Sequence, residues 1–316
     1  MRRAALVATA SPRALPFGLR RETLGLWLGL LGVAIFAVTL PMTRLATGTE
    51  AAPQLSPWFV TFARAVLAGV LSIGLLVALR APRPQRHEWL PLACAVLGNA
   101  IGYPLLLGLA LRVVTASHAA VVTALLPLAT AAVAALLLRQ RARPGFWICA
   151  VAGSALVVAF SLLRARGGGH GFGFGFEWAD LLLVGAVLAA ALGYIQGARV
   201  TPSLGAERVI CWVCVLALPL TLPGMLLTWP RQPVDASAWA ALAYVGVFSM
   251  WLGFFAWYRG LAMGGALRVS QLQLLQPFLS ILAAVPLLGE PLERVTLGFA
   301  LAVVATVVAG RKLAAP

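Results

Sequence analysis

The fold this sequence predicts is an all-α polytopic membrane protein of ten transmembrane helices, arranged as two inverted five-helix repeats. Three observations predict it. The 316-residue chain is 61% hydrophobic and only 10% charged, far from the roughly 45–50% apolar and about 25% charged composition of a soluble domain. Ten apolar stretches follow one another with short polar breaks, each near the about 20 residues that cross a ~30 Å hydrocarbon core. The sequence also matches itself without gaps when shifted by 150 residues.

Taken in order, residues 1–22 carry Arg2, Arg3, Arg13, Arg20 and Arg21 around a short apolar run broken by Pro12. A signal peptide needs a longer uninterrupted core, so this segment reads as a cytoplasmic tail. Predicted helices then occupy 24–44, 58–79, 89–111, 113–138 and 145–163, within a first repeat spanning 23–166. A Gly-rich linker at 167–176 separates it from a second repeat at 177–311, with helices at 178–198, 208–228, 238–258, 265–288 and 294–310. Residues 312–316 form a cytoplasmic C-terminus. Pro57-Trp58, Trp89, Trp178 and Trp229-Pro230 sit at run ends, as expected of residues at the lipid headgroups. The fourth, seventh and ninth runs contain proline, so a broken or re-entrant helix is an alternative there. The linker lacks the Lys-Ser/Thr and following helix of a phosphate-binding loop.

The net charge of +15 comes from 24 basic residues, 23 of them Arg, set mainly between the apolar runs. That distribution speaks for membrane orientation rather than a nucleic-acid face. With both termini inside, 17 basic residues fall on the cytoplasmic side against 6 outside, and Arg64 alone lies within a helix. The expected arrangement is therefore multi-pass with both termini cytoplasmic.

The 150-residue shift places Trp89 on Trp239, Ala116 on Ala266, Pro127 on Pro277 and Leu137-Leu138 on Leu287-Leu288. Alanine and leucine matches are common in this composition, whereas the Trp and Pro pairs in one register are not. Five helices per copy is an odd number, so the second copy enters the membrane from the opposite side. Inverted repeats of this kind recur in secondary transporters, with a site near the midplane where the repeats meet.

The residues also resemble a known family. Leu287-Leu288-Gly289-Glu290-Pro291-Leu292, following Gln276-Pro277, is similar to the signature of the drug/metabolite transporter superfamily, in its EamA branch. The first half departs from that pattern, with Leu137-Leu138-Arg139-Gln140 where a Glu would stand, and Arg64 resembles the Arg of the family's second helix. The resemblance implies ten helices, a cavity lined mainly by helices one, three, four, six, eight and nine, and movement of small metabolites such as amino acids or drugs, often outward, across a bacterial inner membrane.

Polar residues at membrane depth are the candidate site. Gln273, Gln276 and Ser280 are spaced i, i+3, i+7, which sets them within about 60° on one helix face. Thr123, Leu126 and Thr130 occupy the corresponding positions of the first half. Proline has no N–H, so Pro127 frees the carbonyl of Thr123 and Pro277 that of Gln273. Asn99 maps onto Ser249. Asn99, Tyr103 and Trp251 are candidates for an amide and aromatic lining, together with Tyr194, while Trp257 and Tyr258 read as headgroup anchors. His118 is a candidate for proton coupling, against a plain headgroup position. The acidic residues all fall at helix ends or in loops, which leaves a carboxylate relay unsupported and His118 without a nearby acid. Cys211-x-x-Cys214 lies in an apolar run and reads as packing. The pairs Gly25/Gly29, Gly98/Gly102, Gly193/Gly197 and Gly260/Gly264 would allow close helix approach.

These features exclude or favour functions unequally. An intramembrane enzyme needs a nucleophile with its base, paired carboxylates or metal ligands, and no catalytic residue, metal or cofactor is expected. No nucleotide-binding domain accompanies the helices to drive an ATP-powered pump. The expectation is a secondary transporter of neutral or zwitterionic organic solutes, whose partners are that solute and the lipid bilayer and not nucleic acid. A carrier of anionic metabolites, of nucleotide-sugar or sugar-phosphate type, is the alternative. It calls for basic side chains facing the cavity, and Arg64 is the one candidate.

Overall fold

The computed structural model describes residues 21–137, 144–167, 178–264, 269 and 271–314. Residues 1–20 of the expected tail and 168–176 of the expected linker lie outside that set. Among the described residues the regular structure is helical, joined by short turns, and an isolated bridge between Gly48 and Pro53 is the β-type pairing. Six helical segments are long and apolar enough to cross a membrane, and four shorter apolar ones accompany them.

In chain order the segments are α1 (Arg21–Thr47), α2 (Pro57–Ala78), α3 (Arg86–Ala110) and α4, made of Ala116–Thr123 and Leu126–Leu137. They continue with α5 (Pro144–Gly167), α6 (Trp178–Leu204), α7 (Ala206–Leu227) and α8, which runs through Ala236–Ala243, Tyr244–Leu252 and Gly253–Gly264. Last come α9, made of Gln271–Leu275 and Gln276–Leu288, and α10 (Arg294–Ala314).

Local chemistry sets the ends. Ser56 precedes Pro57, and its hydroxyl accepts the Phe59 N–H at 3.0 Å, a polar cap followed by a proline that loses nothing in the first turn. Thr115 caps α4 in the same way, accepting from His118 N–H at 3.1 Å. Gly289 closes α9 at φ 67°, a left-handed conformation that glycine adopts without a Cβ clash.

Prolines break two of the three helices in which they were flagged. In α4 the helix is interrupted at Ala124-Leu125 and resumes with Pro127 as its second residue. In α9 a 3₁₀ turn over Gln271–Leu275 gives way to an α-helix with Pro277 as its second residue. The breaks fall at positions 150 residues apart, because each proline removes a donor and clashes with the preceding turn. Helix α7 absorbs Pro219 and Pro223 without a break.

A second matched irregularity has no signal in the sequence. Helix α3 widens to π geometry over Val96–Gly102, and α8 does the same over Tyr244–Leu252. The i→i−5 bonds are visible at their ends, Tyr103 N–H to Gly98 O and Gly253 N–H to Phe248 O. Such turns occur disproportionately at functional sites, and here they carry Asn99 and Ser249.

The helices pack in exchanged pairs. Helix α1 lies against α8 and α3 against α6, α1 meets α9 as α4 meets α6, and α2 pairs with α7, α4 with α9 and α5 with α10. The glycines enable two of these crossings. A Cβ on Gly98 would meet Ala189 O at 2.4 Å, and one on Gly260 would meet Gly29 N at 2.7 Å, so both crossings depend on backbone-to-backbone approach. Trp257, read from sequence as a headgroup anchor, is instead buried in the α1–α8 crossing, edge-on to Phe36 at 6.5 Å between centroids. Val77, Leu90 and Leu227 are 71%, 74% and 84% exposed, a lateral apolar surface that suits lipid and not water.

Candidate functional site

The two helix breaks border one recess. Its walls are Tyr103 of α3, Thr123, Ala124 and Leu126 at the α4 break, Gln273, Leu274, Gln276, Pro277 and Ser280 of α9, and Val304 of α10. The cavity between these side chains is about 20 Å³ in this conformation, room for about one water molecule. None of these lining side chains carries a charge.

Its polar groups are committed to different degrees. The Thr123 hydroxyl donates to Ala119 O at 2.8 Å and keeps its lone pairs for a further donor. Ser280 is buried and donates to Ala37 O of α1 at 2.8 Å, so it ties α9 to α1. Gln273 and Gln276 each bring an amide donor and acceptor to the wall. Because Pro127 and Pro277 carry no N–H, the Thr123 and Gln273 carbonyls have no i+4 donor. The second halves of α4 and α9 begin at the same place, so helix N-termini with positive partial charge also meet there.

Of the residues singled out from sequence, the recess gathers Tyr103, Thr123, Gln273, Gln276 and Pro277. Asn99 and Trp251 stand outside it. Asn99 is buried against α6, where a Cβ on Gly193 would lie 2.3 Å from its Oδ1. Trp251 stacks edge-on against Phe255 with centroids 4.8 Å apart, in an apolar cluster with Tyr194 and Tyr258. The family resemblance implied walls from helices one, three, four, six, eight and nine. The recess is bounded by α3, α4, α9 and α10, with α1 reached only through Ser280.

A second buried polar group lies outside the recess. Arg64 is 3% exposed, and its Nη2 donates to Ser249 Oγ at 3.3 Å and approaches Met250 Sδ at 3.8 Å. Ser249 Oγ is shared with Thr39 Oγ1 at 2.8 Å.

The side bearing the α4 N-terminus is tied by ionic contacts that cross between the two halves of the chain. Glu290, just after α9, accepts from Ala116 N at 2.7 Å, Ser117 N at 2.9 Å and Ser117 Oγ at 2.6 Å. It therefore satisfies orphan donors of the α4 N-terminus where the positive end of the helix dipole lies. Arg44 Nε stands 3.8 Å from Glu290 Oε1, and its Nη1 donates to Leu111 O at 2.8 Å and also to Val114 O. The signature glutamate is thus a cap on the other repeat's fourth helix.

The expectation that His118 has no nearby acid is corrected. Its Nε2 is 2.7 Å from Asp180 Oδ1, with His118 6% and Asp180 2% exposed. Asp180 sits in the first turn of α6, a helix end in sequence, but the packing of α6 on α4 buries it. His118 itself lies in the first turn of α4 and is buried there.

The sequence profile of the EamA-like transporter family matches residues 23–162 and 177–309. The chain is similar to the uncharacterized transporter YdeK of Bacillus subtilis, with 41% identity over 288 residues that cover 90% of this chain and 96% of YdeK. An uncharacterized transporter of Haemophilus influenzae is 31% identical over 115 residues, covering 36% of this chain and 66% of that protein. A crystal structure with 23% sequence identity superposes with a TM-score of 0.61, covering 93% of this chain and 98% of the other, and so shares the fold. With profile matches covering both halves and a near full-length relative, this integral membrane chain belongs to the EamA-like transporter family.

Proposed function

We propose that this protein is a secondary transporter of small neutral or zwitterionic organic solutes, such as amino acids or amphipathic drugs, working by alternating access. The observation that carries this reading is the pair of proline breaks, in α4 and α9, bordering one uncharged recess. Broken helices at membrane depth are tolerated where they line a cavity, and there they offer carbonyls to cations and helix N-termini to anions. Both are needed by a zwitterion. The wall adds the Gln273 and Gln276 amides, which can bond either end.

The reading includes ten membrane crossings in two inverted five-helix repeats. The exchanged packing pairs, the matched breaks and the matched π turns support it. The charge distribution supports an inner-membrane location with cytoplasmic termini, and an outward direction of transport follows the family resemblance. In that orientation the Glu290 and Asp180 contacts lie at the outer face, and the conformation is sealed there.

The test is flux. Purified protein in liposomes, without ATP, is expected to move members of a labelled panel of amino acids and amphipathic drugs down their gradients. No flux for the whole panel, with robust flux of a sugar phosphate, would replace this reading with that of an anion carrier.

A further inference from the structure

We infer that Arg64 is the receptor for a carboxylate, the anionic end of the solute that enters through the recess; this rests on the transporter reading above. A guanidinium buried at membrane depth is expensive unless it is paired. Elsewhere the buried ionic groups are paired or well hydrogen-bonded: His118 with Asp180, Glu290 with Arg44 and the α4 N-terminus, and Glu88 with the Gln85 N–H and the Ser203 hydroxyl. Arg64 is treated differently. No carboxylate lies within ion-pair distance of it among the described residues, and its Nε and Nη1 have no hydrogen-bond partner. One weak bond to a hydroxyl already shared with Thr39 and one contact with sulfur leave most of the five-donor fork unused.

The position fits a ligand. Arg64 lies on α2 beside the π turn of α8, and Thr61, one turn earlier, also has an unpartnered hydroxyl. The recess wall and Arg64 are joined through α1: Ser280 of the wall donates to Ala37 O, and two residues further along, Thr39 shares the Ser249 hydroxyl with Arg64. The free Nε–H and Nη1–H groups can each donate to a carboxylate oxygen, and a two-point fork on one carboxylate also recruits Nη2 by displacing its weak Ser249 or Met250 contact. Charge balance selects the same group. Arg64 is the one arginine nine-tenths buried among the described residues, so a monoanion cancels its charge, whereas a phosphate dianion would leave a net negative charge at membrane depth.

The experiment is thermal unfolding of the full chain in detergent, at constant ionic strength, with chloride, acetate, benzoate, L-leucine, L-leucinamide or inorganic phosphate. The wild type is expected to melt several degrees higher with at least one of the carboxylates, and not with L-leucinamide or phosphate. Arg64→Met should lose that rise and melt at or above the wild-type temperature without ligand, since it removes an uncompensated buried charge. Arg64→Lys keeps the charge without the fork and should need about tenfold more carboxylate, or about 1.4 kcal/mol. The inference is overturned if no carboxylate raises the melting temperature, if the rise survives in Arg64→Met, or if phosphate gives the larger rise. Should Arg64→Met not fold, an unchanged carboxylate midpoint in Arg64→Lys overturns it. Carboxylate stabilisation in a protein that moves no solute in liposomes would instead refute transport and leave the site standing.

Discussion

Liposomes carrying the double substitution Gln273→Leu/Gln276→Leu should move solute at about a tenth to a hundredth of the wild-type rate. Leucine nearly matches the volume of glutamine and suits the surrounding helices, so the variant should fold. What it removes is the pair of side-chain amides in an otherwise weakly committed wall. A hydrogen bond to a neutral group contributes about 0.5–1.5 kcal/mol, and more to a charged one, while about 1.4 kcal/mol is a factor of ten. Two such bonds to a zwitterion give the stated range. The comparison is initial flux at matched protein density, with size-exclusion and thermal profiles confirming the fold. A rate within twofold of wild type would show that the solute does not meet this wall.

The second large effect is expected at Glu290. Its carboxylate accepts three hydrogen bonds from the first turn of α4 and stands beside Arg44. Glu290→Ala strands two backbone N–H groups in a buried setting and leaves the Arg44 charge less balanced. Hydrogen bonds to charged groups contribute about 1.5–3 kcal/mol each, and a lost cap costs about 0.5–2 kcal/mol. Since neighbouring bonds are not additive, a loss of about 2–4 kcal/mol is the reasoned sum. Glu290→Gln keeps one acceptor oxygen and should fall between. Thermal unfolding in detergent measures both, and equal melting temperatures for wild type and Glu290→Ala would remove the cap from the account.

The two predictions differ in how visible their residues were beforehand. Gln273 and Gln276 stood out because polar side chains at i and i+3 in an apolar run are costly unless used, and the paired prolines located the α4 and α9 breaks. Helix ends were legible for a similar reason, since charge and tryptophan at run boundaries report the membrane itself. Glu290 was legible as a signature but not as a cap, because the donors it serves lie 173 and 174 residues away in the chain. Asp180 was misjudged because a first-turn acid is usually solvated, and only the packing of α6 against α4 brings it to His118, 62 residues distant. The π turns of α3 and α8 left no trace, since a single extra residue per turn does not disturb a uniformly apolar run. Polarity and the match to Ser249 mark Asn99 in the sequence, but its place is set by the glycine gap at Gly193, on a helix that sequence periodicity does not align with it.

The proposed function makes the recess between the α4 and α9 breaks the solute's path, reached from the cytoplasmic side while the Glu290 and Asp180 contacts stay closed. Accessibility of Val304→Cys tests it most directly, because Val304 borders the recess from α10 without serving as a polar contact. The variant is made in a chain whose native Cys94, Cys149, Cys211 and Cys214 have been replaced, with Val77→Cys on the lateral apolar surface as the control. A membrane-impermeant maleimide should label Val304→Cys in inside-out vesicles, more slowly when a transported amino acid saturates the protein, and should leave Val77→Cys untouched. Labelling indifferent to solute, or absent from both faces of the membrane, would contradict the claim.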